Sequence, residues 1–195
     1  MSLMPCFDSD QADAEGRIVG RLLAGYGELE LQMCMCLIVA EANIDTPIRD
    51  IFSVRGAEKR IEIGENALKT NFSKAGLTTE LMQALSDLDW CRQIRNQYSH
   101  CHWYWTAKEG LCFVNLEELA KQPSTITSVT EDRHRIDLAL PQKQEEYFWY
   151  VKQCFMHLET AYRTWDQAQT RGGRVRPASL AYPKPLKIPQ PPAHN

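Results

Sequence analysis

The chain has 195 residues, 44% hydrophobic and 24% charged, and carries a formal net charge of −3. That balance excludes wholesale disorder and predicts one folded domain with an appended tail. Residues 171–195 hold five basic side chains and no acidic one, so the 22 basic residues fall to 17 against 25 acidic in residues 1–170, a net −8 that argues against a stand-alone DNA-binding regulator.

Met1 to Asp8 has no basic region ahead of an apolar one, so no secretory signal is expected there. The first helix is predicted from about Asp10 to Ala42. Ile18, Leu22, Tyr26, Leu29, Met33, Leu37 and Ala40 recur every three or four residues and form one apolar stripe. The longest unbroken apolar run, Met33 to Ala40, is flanked by Glu30 and Glu41 and falls short of the ~18 residues that cross a bilayer. A second helix is predicted from Thr46 as cap and Pro47 as first helical residue to about Phe72, with Gly56 and Gly64 as points of kink or break. The third runs from Thr78 or Thr79 to near Ser99 on a stripe of Leu81, Leu85 and Leu88.

The period then changes. His102 to Trp105 and Leu111 to Val114 are aromatic and β-branched, and Ala107 to Gly110 between them reads as a hairpin turn. Thr125 to Thr130 is expected to add a third strand. The last helix is predicted from Pro141 to about Gln169, with Tyr147, Tyr150 or Val151, Cys154, Leu158, Ala161 and Trp165 on its apolar face. Six of the ten prolines fall beyond it, so residues 171–195 read as an extended basic tail. The fold class is therefore all-α: an antiparallel helical bundle of four to five helices over residues 1–170, with a small β-hairpin insert before the last helix. Seven cysteines without a Cys-x-x-Cys pair suit a reducing compartment, and the expectation is a soluble cytoplasmic protein without a membrane partner.

Chemistry concentrates in Arg92-Gln93-Ile94-Arg95-Asn96-Gln97-Tyr98-Ser99-His100. At ~100° per residue Arg95 falls within about 40° of the Leu81/Leu88 stripe, and Arg92 shares that face. A guanidinium there must meet a carboxylate or open into a cleft. Asn96 and His100, four apart, are neighbours on a helix surface.

Arg95-Asn96-x-x-Ser99-His100 resembles the Arg-x(4–6)-His signature of the HEPN superfamily, all-helical domains of many prokaryotic toxins and RNA-cleaving effectors. Tyr26-Gly27-Glu28-Leu29-Glu30, Phe52-Ser53-x-Arg55, Arg60-Ile61 and Trp103 stand around it in an order similar to a group of uncharacterised bacterial HEPN-like proteins. The likeness covers roughly residues 15–165; Cys101 departs from it, standing where many relatives have glycine. The resemblance implies a homodimer with two motifs lining one cleft, and metal-independent endoribonuclease chemistry without a cofactor. His100 would be the acid or base, Arg95 would hold the phosphate, and Asn96 would orient His100 or bond the phosphate. Arg92 and Ser99 would bind substrate, and Glu30 and Trp103 would support the site. RNA or a nucleotide, and an antitoxin, are the partners it implies. Many members are instead non-catalytic interaction or scaffold modules. Read from the residues alone, Arg95 pairing with Glu30 and His100 capping the helix would make the motif structural.

Other candidates carry less. His100-x-His102 has no second ligand pair at zinc spacing, so no metal is expected. The aromatic runs from His102 to Trp105 and Tyr147 to Tyr150 could stack bases, but suit a core or dimer seam better. Glu28 and Glu30 diverge by ~200° on a helix, which rules out shared acid–base work. No Walker, Rossmann or Gly-x-Ser-x-Gly pattern occurs.

Overall fold

A computed structural model describes residues 4–5, 13–123, 125–129 and 133–170. The chain is an all-α helical bundle with a small antiparallel sheet. In chain order the elements are β1 (Met4–Pro5), α1 (Asp13–Glu41), α2 (Asp45–Phe52), α3 (Ala57–Lys74), α4 (Thr78–Ser99), β2 (Cys101–Thr106), β3 (Gly110–Asn115), α5 (Leu116–Ala120), β4 (His134–Arg135) and α6 (Ala139–Thr170). The tail predicted at 171–195 lies outside the described residues.

There are six helices among the described residues rather than four to five. One addition comes from a break at Gly56, whose φ of 93° and ψ of 121° no β-carbon-bearing residue adopts without strain. The other predicted weak point, Gly64, stays helical. A β-carbon there would lie 2.6 Å from Met33 Sδ, so the missing side chain makes room for the Met33 thioether. The predicted Thr46 cap is also corrected. Asn43 Oδ1 accepts from Asp45 N at 2.9 Å, and α2 begins one residue before Thr46, with Pro47 two residues further in. The capping position is Ile44, which offers no side-chain acceptor, and Asn43 just before it captures the first free donor instead.

The described residues divide into two compact units. One comprises the described part of Met1–Gly25 with Gln93–Tyr147; the other is Tyr26–Arg92 with the described part of Phe148–Leu186. In the second unit Leu29, Met33, Cys34, Cys36 and Leu37 of α1 are buried, as are Leu68 and Phe72 of α3, Leu81, Leu85 and Leu88 of α4, and Val151, Cys154 and Leu158 of α6. Leu29, Met33, Leu37, Leu81, Leu85, Leu88, Val151, Cys154 and Leu158 stand on the predicted stripes, whereas Ala40, Ala161 and Trp165, also placed there, are only half-buried. Phe72 stacks on Tyr162 at 4.8 Å, and Cys36 donates its thiol to the Phe155 carbonyl at 3.5 Å.

One expectation about α1 needs correction. An 18-residue window of it reaches a mean hydropathy of 1.4, so by length and composition alone this helix could cross a membrane. No unbroken apolar run is that long, but Leu22, Leu23, Leu29 and Leu31 keep the mean high across Glu28 and Glu30. Its buried side chains use that apolarity in the core.

The first unit holds the sheet, in the order β1-β2-β3-β4 and antiparallel throughout. The predicted hairpin is present, closed by Gly110 at φ 79° and by Thr106 Oγ1 accepting from Glu109 N at 3.0 Å. Residues 125–129 form no strand, against the third strand expected at Thr125 to Thr130; the strand beside β3 is His134–Arg135. Arg133 reaches the turn through an ion pair to Glu109 at 2.8 Å and draws that later segment alongside. One sheet face buries Tyr104, Cys112 and Val114 with Leu119 of α5. On the other, Trp103 lies 5.1 Å from Phe113, and Tyr98 of α4 lies 5.8 Å from Trp103.

Candidate functional site

The last two turns of α4 are set by two buried residues, Ile94 and Tyr98. Tyr98 meets Phe113 edge-on at 5.6 Å and donates its hydroxyl to Gln144 Oε1 at 2.7 Å. Burial pushes its phenol up to about 12. With Ile94 and Tyr98 facing inward, Arg95, Asn96 and Ser99 fall on the flank of the helix, where all three are half-buried. The core stripe thus drifts from Leu81 and Leu88 toward Ile94 and Tyr98, and Arg95 stands at its edge rather than on it.

Arg95 Nη1 donates to Asn96 Oδ1 at 2.9 Å, and Ser99 Oγ donates to the Asn96 carbonyl at 3.2 Å. Among the described residues the other Arg95 donors have no partner, which leaves one edge of the guanidinium open. His100 lies one residue past α4 with its side chain 53% exposed. The group beside its imidazole is Glu117, with Oε1 3.7 Å from Nε2, and no hydrogen bond joins Asn96 to His100 among the described residues. Asn96 spends its acceptor on the neighbouring guanidinium, while the hairpin returns the chain to His100.

Glu117 went unnoticed in the sequence, though two signals point to it. The turn at residues 107–110 sets a register that pairs Cys101 with Asn115 and brings residue 116 back to residue 100. Asn followed by two glutamates is also a helix start, and Asn115 Oδ1 accepts from both Glu117 N and Glu118 N. Trp103 supports this end of the sheet through its aromatic contacts. His102 stacks on Tyr104 at 5.9 Å. Burial, assisted by Glu118, pushes the Cys101 thiol up to about 12, so it is protonated at neutral pH and a poor nucleophile or ligand.

Arg92 and Glu30 belong to the other unit. Glu30, 3% exposed, accepts from Arg60 Nη1 at 2.7 Å, and Arg60 Nε holds the Val54 carbonyl at 3.0 Å. The Arg95–Glu30 pair considered above is therefore corrected: Arg60 takes that carboxylate because α3 starts right after Gly56 and turns Arg60 inward. Arg92 bonds Asp89 at 2.7 Å. Burial works against its charge, but the Asp89 hydrogen bond and the charges of Asp89 and Glu58 outweigh it, and its pKa is raised. A groove of about 450 Å³ in this unit, lined by Ile38, Ala42, Ile44 and Arg163 among others, contains none of the predicted site residues.

No family model, curated protein or solved structure matches the chain.

Proposed function

We propose that the chain is a HEPN-like, homodimeric, metal-independent endoribonuclease acting on single-stranded RNA at Arg95, Asn96 and His100. The observation that carries this reading is the state of the α4 end. Arg95 is held by Asn96 with one guanidinium edge open, and His100 stands half in water beside them in sequence, so neither group is sealed in the core.

The chemistry follows from the side chains. Arg95 presents a planar fork of donors to a phosphodiester and stabilises charge that builds on its oxygens. A neutral His100 imidazole takes the proton from the ribose 2′-hydroxyl. The O2′–P bond then forms and the P–O5′ bond breaks. The imidazolium of a second copy delivers a proton to the departing 5′-oxygen. The products are a 2′,3′-cyclic phosphate and a 5′-hydroxyl, and no metal enters the balance. An antitoxin would act by covering this surface, in the cytoplasm.

A second reading, a non-catalytic interaction module of the same fold, is favoured by Trp149. This residue is 61% exposed, with Lys152 Nζ 5.8 Å from the ring centre. An exposed aromatic of this kind suits a partner surface.

The test is single-stranded RNA with purified protein in excess chelator. Wild type is expected to produce cyclic-phosphate ends, His100→Ala and Arg95→Ala to produce none while keeping the wild-type circular dichroism spectrum, and sedimentation to give a dimer. Cleavage that persists in His100→Ala sinks the assignment. Folded wild type that binds RNA without cutting it supports the module instead.

A further inference from the structure

The β2–β3 register runs one step past the sheet, where Leu116 N donates to the His100 carbonyl at 3.1 Å. The residue that leaves α4 is thus clamped at the main chain to the residue that opens α5. Asn115 holds the α5 turn in place by accepting from Glu117 N at 3.0 Å and Glu118 N at 3.2 Å. Two backbone constraints and one side-chain cap therefore bring Glu117 Oε1 to 3.7 Å from His100 Nε2. The two side chains are 53% and 59% exposed, so water screens the pair and its worth to folding is small. Its consequence falls on the imidazole.

We propose that Glu117 is a positioning residue for His100: its carboxylate accepts a hydrogen bond from Nε2–H, sets the ring plane, and leaves Nδ1 as the nitrogen that meets the 2′-hydroxyl. This rests on the ribonuclease reading above. A carboxylate behind an imidazole selects the tautomer and steadies the imidazolium without itself taking the proton, as in hydrolase triads. The proton from the 2′-hydroxyl goes to Nδ1, the Nε2 hydrogen stays on the ring, and the positive charge that results faces Glu117. At 3.7 Å the contact is longer than a hydrogen bond, as catalytic contacts often are before substrate arrives. Asn96, engaged with Arg95, stays with the phosphate side of the site.

The experiment uses the full chain, a single-stranded RNA oligonucleotide and excess chelator. Glu117→Gln is expected to lower kcat by about ten- to a hundred-fold with little change in KM, and Glu117→Asp to recover part of the loss. A structural defect would move KM or folding instead. The nitrogen-15 spectrum of the His100 ring is read alongside, whether or not RNA is cut: one tautomer in wild type, a mixture in Glu117→Gln. Full-rate cleavage by Glu117→Gln, with His100→Ala inactive, overturns this inference and leaves the ribonuclease reading intact. Folded wild type that cuts no RNA overturns that reading. A ring spectrum that Glu117→Gln leaves unchanged overturns the proposed hold of Glu117 on His100 in either case.

Discussion

Two acid–base pairs, one in each unit, show how the same side-chain chemistry is turned to different ends. Glu30 and Arg60 meet at 2.7 Å with the carboxylate 4% and the guanidinium 26% exposed. Arg60 also binds the Val54 carbonyl, so the pair ties α1 to the loop before α3 and to α3 itself. His100 and Glu117 stand 3.7 Å apart with more than half of each side chain in water. In the first pair desolvation has been offset by short bonds, and removing one partner leaves an uncompensated charge in the core. In the second, little has been desolvated, so either partner can be removed at small cost to folding. The lesson concerns depth: a buried pair is committed to the packing around it, while an open one keeps its protons and lone pairs in contact with water.

The sharpest way to break the comparison is to truncate one member of each pair. Glu30→Ala is expected to cost about 3 kcal/mol, at the low end for a buried pair because Arg60 keeps 26% of its side chain in contact with water. His100→Ala is expected to stay within ~0.5 kcal/mol of wild type, as an exposed substitution does. Urea unfolding of the two variants measures both. Equal losses would mean that the His100 end carries the fold as well, and the contrast between a buried and an open pair would fail.

How much of this was legible in the sequence follows the same depth. The stripes of α1, α4 and α6 could be read because burial imposes a period of three to four, and Leu22, Met33, Leu88 and Cys154 are all buried where that period puts them. The hairpin could be read because aromatic and β-branched runs flank a turn that ends in Gly110. Arg95, Asn96 and His100 could be singled out by type and spacing, but the groups that meet Glu30 and His100 were missed. Arg60 reaches Glu30 across thirty positions, and Glu117 reaches His100 through a hairpin register. Both are long-range consequences of turns, at Gly56 and Gly110, and a helical period carries no information about them. β4 escaped for a related reason: two residues are too few for alternation to show, and Arg133–Glu109 brings them alongside β3.

A smaller effect tests where the sealed region ends. Tyr98 lies two residues before the open imidazole, yet it is 1% exposed and bonded to Gln144. Burial raises its phenol to about 12, with the Gln144 hydrogen bond pulling the other way. The unfolded chain ionises this group near ~10, so the folded state binds the proton more tightly. The stability it contributes is complete below about pH 10 and is lost as pH rises through about 12, a change of up to about 3 kcal/mol. Phenolate absorbance followed with far-ultraviolet circular dichroism checks it. Ionisation of Tyr98 near pH ~10 without loss of helix would show that water already reaches the last turn of α4, and the boundary between sealed and open would move inward.

The smallest effect sharpens the buried side of the comparison. Tyr26 is 4% exposed, and its hydroxyl has no hydrogen-bond partner among the described residues; the same holds for Glu30 Oε1, one turn further along α1. Burial first, and then the Glu30 charge, hold this phenol in its neutral form, against a weaker pull from Arg92. A buried hydroxyl that makes no bond contributes nothing that phenylalanine lacks, and its desolvation is pure cost. Tyr26→Phe is therefore expected to be neutral within ~0.5 kcal/mol or slightly stabilising in urea unfolding, whereas Tyr98→Phe, which strands Gln144 Oε1, should lose about 1 kcal/mol. A loss above ~1 kcal/mol for Tyr26→Phe would mean that a bound water links its hydroxyl to Glu30 Oε1, and that the node around Glu30 and Arg60 is wet and stabilised through that bridge.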